Sequence, residues 1–162
     1  MILLALHLFR STVTNVYEYI LIGMAVGFGF TLFEEVLYGS DGWVFRLTGV
    51  AIHSALNMVM AKHLALARYY KRTNEGSVAG EYALAILVPV LIHTCYDMCT
   101  ANNKYMDSTD ANLQLTGLIM GCLAAVLGIV FEVVVFIKAK KDAPKHCEML
   151  TVAGKAMGFE KV

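Results

Sequence analysis

Residues 113–137 read LQLTGLIMGCLAAVLGIVFEVVVFI, a run whose one charged side chain is Glu132. An α-helix rises about 1.5 Å per residue, and a bilayer's hydrocarbon core is about 30 Å thick. This run therefore crosses a membrane as a helix. Three further segments meet the same test, at roughly 17–38, 43–67 and 82–101. The composition agrees: of 162 residues 58% are hydrophobic and 16% charged, with mean hydropathy +0.62. An all-α, polytopic membrane protein with four spans is expected. A fifth apolar run, MILLALHLF at residues 1–9, is too short to span. It has no basic residue before it and no small-residue cleavage site after it, so it reads as the back half of a transmembrane helix rather than a signal peptide.

Working outward, the loops set the topology. Arg10 precedes the first span, Arg68, Lys71 and Arg72 follow the second, and Lys138, Lys140, Lys141 and Lys145 follow the fourth. By the positive-inside rule these regions are cytoplasmic, and so are both termini. The turn Gly39-Ser40-Asp41-Gly42 and the loop near residues 102–112 then face outward. Residues 1–141 form one transmembrane domain and 142–162 a polar cytoplasmic tail. Zero net charge without a dense basic patch leaves no footprint for nucleic acid. Cys95, Cys99, Cys122 and Cys147 show no zinc-ribbon or CxxC spacing. Pro89 falls inside the third span, where it is expected to kink the helix beside His93.

Charge at membrane depth is expensive unless it is paired or faces a cavity, so the few polar residues inside the spans carry the functional argument. They are Glu34 and Glu35 on the first span, Arg46, His53 and Asn57 on the second, and His93 and Asp97 on the third. His53 with Asn57, and His93 with Asp97, stand four apart and so share a helix face. Counting from the outer turns at about 1.5 Å per residue places Glu34, His53, Asn57, His93 and Asp97 at comparable depth in the outer half of the bilayer. Glu132, near the cytoplasmic end of the fourth span, is left outside this set. Each residue alone could serve as interhelical hydrogen-bond glue, or in the case of Arg46 reach to the surface. Five at one depth suggest a site.

A carboxylate in apolar surroundings is a better proton acceptor than one in water, and imidazoles beside it can polarise a carbonyl or hold an oxyanion. The same residues, His53, His93, Glu34 and Asp97, could instead ligate Zn²⁺ with an open position. No Ser or Cys has a clear claim as nucleophile, although Ser54 follows His53. Hydrolysis by activated water fits, with either no cofactor or zinc.

These residues carry a resemblance. Gly23-x-x-x-Gly27-Phe28-Gly29-Phe30-Thr31-Leu32-Phe33-Glu34-Glu35-x-x-Tyr38 resembles the "GxxxGxGFAxxENxxY" helix of the PrsW intramembrane protease family, within the superfamily of CAAX prenyl proteases and bacteriocin-processing enzymes. Phe30-x-x-x-Glu34 matches its FxxxE core. The segment Arg46 to Ala55 is similar to the family's Arg-to-His helix, and Leu91-Ile92-His93-Thr94-Cys95-Tyr96-Asp97 to its "LxHxxYD" helix. Glu35 stands where the family usually has Asn. The family's first motif, a Glu-Glu pair followed by a basic residue, has no counterpart; Glu18 in VYEYI has different neighbours.

The resemblance implies an intramembrane protease of the bacterial cytoplasmic membrane that cuts a membrane-anchored protein, such as an anti-sigma factor, near the extracytoplasmic side. It implies catalytic roles for Glu34, His53 and His93, supported by Glu35, Arg46, Asn57 and Asp97. It also implies a first-motif helix encoded upstream of Met1, without which the 162-residue form is expected to have little activity. The alternatives are a non-cleaving membrane binding protein of the same family and, third, an ion or proton transporter. Four helices without inverted halves argue against the last.

Overall fold

The computed structural model describes residues 15–38, 43–100 and 108–142, apart from the side chains of 35, 38, 43–48 and 98–100. The expected N-terminal half-helix, the Gly39–Gly42 turn, most of the second outer loop, the tail beyond residue 142, and the side chains of Glu35 and Arg46 lie outside the described residues.

Four helices make up the described chain: α1 (Val16–Tyr38), α2 (Trp43–Thr73), α3 (Val78–Thr100) and α4 (Ala111–Asp142). All four are long and apolar enough to cross a membrane, which makes this a multi-pass membrane protein. No strand occurs among the described residues. Helices α2 and α4 run past their expected ends at 67 and 137 to Thr73 and Asp142. The reason is physical: Arg68, Lys71, Arg72, Lys138, Lys140 and Lys141 have long stems that lift the charge out of the core while the backbone stays helical.

Local chemistry starts and stops the helices. Asn15 Oδ1 accepts from the Glu18 backbone N–H at 3.2 Å, while Glu18 Oε2 accepts from the Asn15 N–H at 3.3 Å. This is a capping box that satisfies donors the first turn leaves open. Glu18, the nearest counterpart to a first motif, is thus a cap. The Gly80 N–H donates to Ser77 Oγ at 3.1 Å at the start of α3, and the Asn112 N–H to Asp110 Oδ1 at 2.8 Å at the start of α4. Helix α2 ends in a short reversal with Asn74 at φ 57° and Gly76 at φ 69°. Gly76 is required twice over, because a Cβ there would also sit 2.7 Å from the Tyr70 ring. Pro89 lies inside α3 without ending it.

Helix α2 is the common neighbour of the other three. Its contact with α1 is closest at two glycines. A Cβ on Gly23 would meet the Asn57 carbonyl oxygen at 2.5 Å, and one on Gly27 the His53 carbonyl oxygen at 2.4 Å. The spacing is the small-xxx-small pattern that lets membrane helices pack backbone to backbone, where van der Waals contact takes over from the hydrophobic effect. Below this seam Val16, Tyr19 and Ile20 of α1 pack with Met58, Ala61 and Ala65 of α2, and Val135, Phe136 and Ala139 of α4 close the cluster. Toward the C-terminal end of α2, Arg68 donates to the Tyr19 hydroxyl. His63 Nδ1 lies 2.6 Å from Glu81 Oε2, tying α2 to α3.

The position of α4 corrects one expectation. Gly128 backs onto Ala51, which a Cβ on the glycine would meet at 3.4 Å. Since Val135 and Ala139 pack further along α2 against the Met58–Ala65 cluster, Glu132 falls between, near the level of Ala55. It is therefore within about a turn of His53 in depth. Counting from the loop placed it near the far end because α4 was taken to start at the height of its neighbours, whereas its 32 residues exceed the 23 of α1.

Candidate active site

The α1–α2 seam builds the first half of the site. In an α-helix side chains lean toward the N-terminus, so the ring of His53 lies over the preceding turn, where Gly49 leaves room: a Cβ there would stand 3.8 Å from His53 Cε1. Because α1 runs antiparallel at contact distance, the residues one and two turns beyond Gly27 arrive beside that ring. Thr31 Oγ1 is 3.0 Å from His53 Nδ1, and Glu34 Oε2 is 3.3 Å from the same nitrogen. Phe30 covers the ring edge to face, with centroids 5.1 Å apart. His53 is 7% exposed and Thr31 2%.

Helix α3 supplies the second half. His93 Nε2 lies 3.0 Å from His53 Nε2, the two rings are nearly parallel at 13°, and His93 Nδ1 is 2.9 Å from Asp97 Oδ2 one turn on. Tyr96 stands edge-on to His93 with centroids 6.5 Å apart.

With Glu34 and Asp97 taken as carboxylates, the hydrogen-bond partners assign the proton positions. Thr31 spends its hydroxyl proton on the Gly27 carbonyl at 3.2 Å, so toward His53 it can only accept, and Glu34 as a carboxylate also accepts. His53 therefore carries its proton on Nδ1. By the same reasoning the Asp97 carboxylate places the His93 proton on Nδ1. Both Nε2 atoms then present lone pairs to each other at 3.0 Å. Two acceptors at that distance repel unless a cation, a shared proton or a metal ion, lies between them.

A metal fits this donor pair in part. Imidazole nitrogens bound to tetrahedral zinc at about 2.0–2.1 Å stand about 3.3 Å apart, close to the 3.0 Å found. A carboxylate on the far nitrogen of each ring is the usual support of a zinc-bound histidine. Glu34 and Asp97 occupy that supporting position, behind the rings rather than beside the Nε2 atoms. Among the described residues no group of three or more His, Cys, Asp or Glu side chains is arranged to hold a metal ion. His53 and His93 thus fit as two ligands of the three that a catalytic zinc site takes from protein.

The structure brings together Glu34, His53, His93 and Asp97 from three helices. Asn57 points elsewhere: its Nδ2 donates to the His53 carbonyl at 2.9 Å, the oxygen that Gly27 approaches. Sequence reasoning missed Thr31, although it stands one turn from both Gly27 and Glu34 on a single helix face. It also missed His63 with Glu81, for which no local spacing gives a signal.

The fold and the site define a multi-pass helical membrane protein with an imidazole pair, braced by carboxylates, inside the bundle. A family model described as PrsW family intramembrane metalloprotease matches residues 1–137. The chain belongs to that family, and the expected all-helical membrane architecture accords with it. Comparison with curated proteins and with solved structures returns no match.

Proposed function

We propose that the chain is an intramembrane endopeptidase that hydrolyses a peptide bond of a membrane-anchored protein at His53 and His93. The observation that carries this reading is the 3.0 Å approach of the two Nε2 atoms, each ring held from behind by a carboxylate. In the reaction water adds to the scissile carbonyl, the C–N bond breaks, and the proton lost by water ends on the leaving amine. A divalent metal such as zinc, when bound, would be held by the two Nε2 atoms and would supply Lewis-acid polarisation of the reacting carbonyl and water. Glu34 and Thr31 hold His53 in one tautomer and orientation, and Asp97 does the same for His93. Their charge also favours any positive charge the rings share. Glu34 is thus an orienting carboxylate in this reading. Phe30 and the close α1–α2 seam keep bulk water from the His53 side of the pair.

The basic residues at the ends of α2 and α4 support an orientation with both termini cytoplasmic and a substrate cut in the outer half; a bacterial cytoplasmic membrane is the location that the resemblance implies. The test is cleavage of a membrane-anchored reporter in vesicles. His53→Ala and His93→Ala should each lower it by about 10² or more at unchanged insertion and folding. Loss with a chelator, restored by zinc, identifies the shared cation as a metal. Cleavage that survives both substitutions overturns the reading.

A further inference from the structure

Gly49 lies inside α2, one turn before His53, and is buried. A glycine inside a helix is less stable than an alanine, because its backbone loses more freedom on folding. Three other buried glycines have a packing reason to be there. On Gly23 and Gly27 a Cβ would run into the backbone of α2, and Gly128 backs onto Ala51. Gly49 is different. Its backbone is helical, and among the described residues a Cβ there would meet His53 Cε1 at 3.8 Å and His53 Nδ1 at 3.9 Å, both ordinary van der Waals contact. An alanine would fit. What the glycine keeps clear is the edge of the His53 ring at Cε1, between its two nitrogens. The rest of the ring is engaged: Nδ1 by Thr31 and Glu34, Nε2 by His93, and Phe30 packs on it edge to face. Gly49 also lies on the side of His53 toward the end of the bundle where α1 and α3 finish and α2 begins. The site opens toward that end. His53 is buried, whereas the side chains of Glu34, His93 and Asp97 are 27%, 36% and 48% exposed.

We propose that Gly49 is a specificity-determining residue: it gives clearance to the substrate backbone beside His53 and so sets the size of the residue accepted next to the scissile bond. The inference rests on the hydrolase reading of His53 and His93. A peptide bond presented to the imidazole pair brings its own backbone and a flanking side chain up to the ring, and the absence of a Cβ is what lets a second backbone come that close. A methyl group at position 49 would take the space of that flanking side chain. One carbon in a fitted site changes discrimination by about 10–200-fold. The substitution therefore separates two roles: a glycine kept for folding would be improved by alanine, whereas a glycine kept for the substrate would be selectively harmed by it.

The full chain is reconstituted in phosphatidylcholine vesicles with a membrane-anchored reporter, and the scissile bond is located by mass spectrometry of the products. Three reporters are then compared that carry glycine, alanine or leucine at the positions flanking that bond, and kcat/KM is measured for each with the unsubstituted chain, Gly49→Ala and Gly29→Ala. Gly49→Ala is expected to fold and to resist denaturing detergent at least as well as the unsubstituted chain. It should lose at least tenfold more kcat/KM on the leucine reporter than on the glycine reporter. Gly29→Ala, whose Cβ also meets nothing but lies on α1 away from the ring, should keep the original order of the three reporters. An equal loss on all three reporters, or no loss, overturns the proposal. So does an unfolded Gly49→Ala, because the glycine would then serve packing. The two readings separate: reporters left uncut by the unsubstituted chain, or cleavage that survives His53→Ala and His93→Ala, remove the hydrolase and this inference with it. Cleavage that needs both histidines but shows unaltered reporter preference in Gly49→Ala removes this inference alone.

Discussion

Gly27→Ala adds one methyl group where α1 and α2 touch. The new carbon would stand 2.4 Å from the His53 carbonyl oxygen and 2.7 Å from Ser54 Cα. Both are backbone atoms that cannot rotate away. Ordinary contact needs about 3.5 Å, so the helices must separate by about 1 Å. Overpacking of this kind costs about 1–3 kcal/mol, which a bundle also held at Gly23, at the Val16–Met58 cluster and by Arg68 with Tyr19 should survive. The site is less tolerant, because the same shift draws Thr31 and Glu34 away from His53 Nδ1, where they now stand at 3.0 and 3.3 Å. A misplacement of about 1 Å in a catalytic arrangement costs on the order of 10²-fold in rate. The expected outcome is therefore a loss of about 10² in reporter cleavage with a folded, inserted protein. Gly29→Ala is the internal comparison, since a Cβ there meets nothing within 4 Å, and it should leave cleavage within about twofold. Measuring both variants in one vesicle assay, with unfolding in denaturing detergent as the fold control, decides the matter. Equal activity of the two, or an unfolded Gly27→Ala, would refute the claim that seam spacing sets the site.

Asp97→Asn keeps the size of the group behind His93 but weakens its hold on the Nδ1 proton, and should lower cleavage by about 10–100-fold, the usual effect of losing such a support; unchanged cleavage removes Asp97 from the site. Glu132 Oε1 is buried with no hydrogen-bond partner among the described residues. Glu132→Leu should therefore raise resistance to unfolding by about 1–3 kcal/mol, and a fall instead would reveal a partner for the carboxylate elsewhere in the chain. Single cysteines placed at Asp41 and at Lys140 should label from opposite faces of the membrane, Asp41 from outside; labelling of Lys140Cys from outside reverses the topology.

The four helices were legible because a bilayer tolerates little else: runs of apolar residues this long have few other stable fates. The histidine and carboxylate set was legible for the converse reason, since lipid makes each intramembrane polar residue conspicuous. What the sequence did not disclose was pairwise placement. Glu34 and His53 could be put at one depth by counting, but Glu34 behind the ring, at Nδ1, depends on the antiparallel register set at Gly23 and Gly27. Asn57 shares a helix face with His53 and still turns its amide to its own helix. Glu132 was misplaced because depth counted from a loop fails when a helix overhangs its neighbours. Thr31 was overlooked because a hydroxyl in an apolar run carries no cost signal.

The tie between His63 and Glu81 has a mechanical consequence for the pair at the other end of α3. Glu81 and His93 are separated by about 18 Å of helix at about 1.5 Å per residue. His53 is gripped by α1, while His93 rides on a helix whose outer surface is bare of protein at Leu87, Val90 and Leu91. With α3 acting as a lever pivoting at Glu81, a tilt of about 5° would move His93 by about 1.6 Å over that length. That is enough to open the 3.0 Å gap between the imidazoles while leaving His53, Thr31 and Glu34 undisturbed. The distance between the two rings would thus gauge how α3 leans, with a joint near one end of the helix setting a gap near the other.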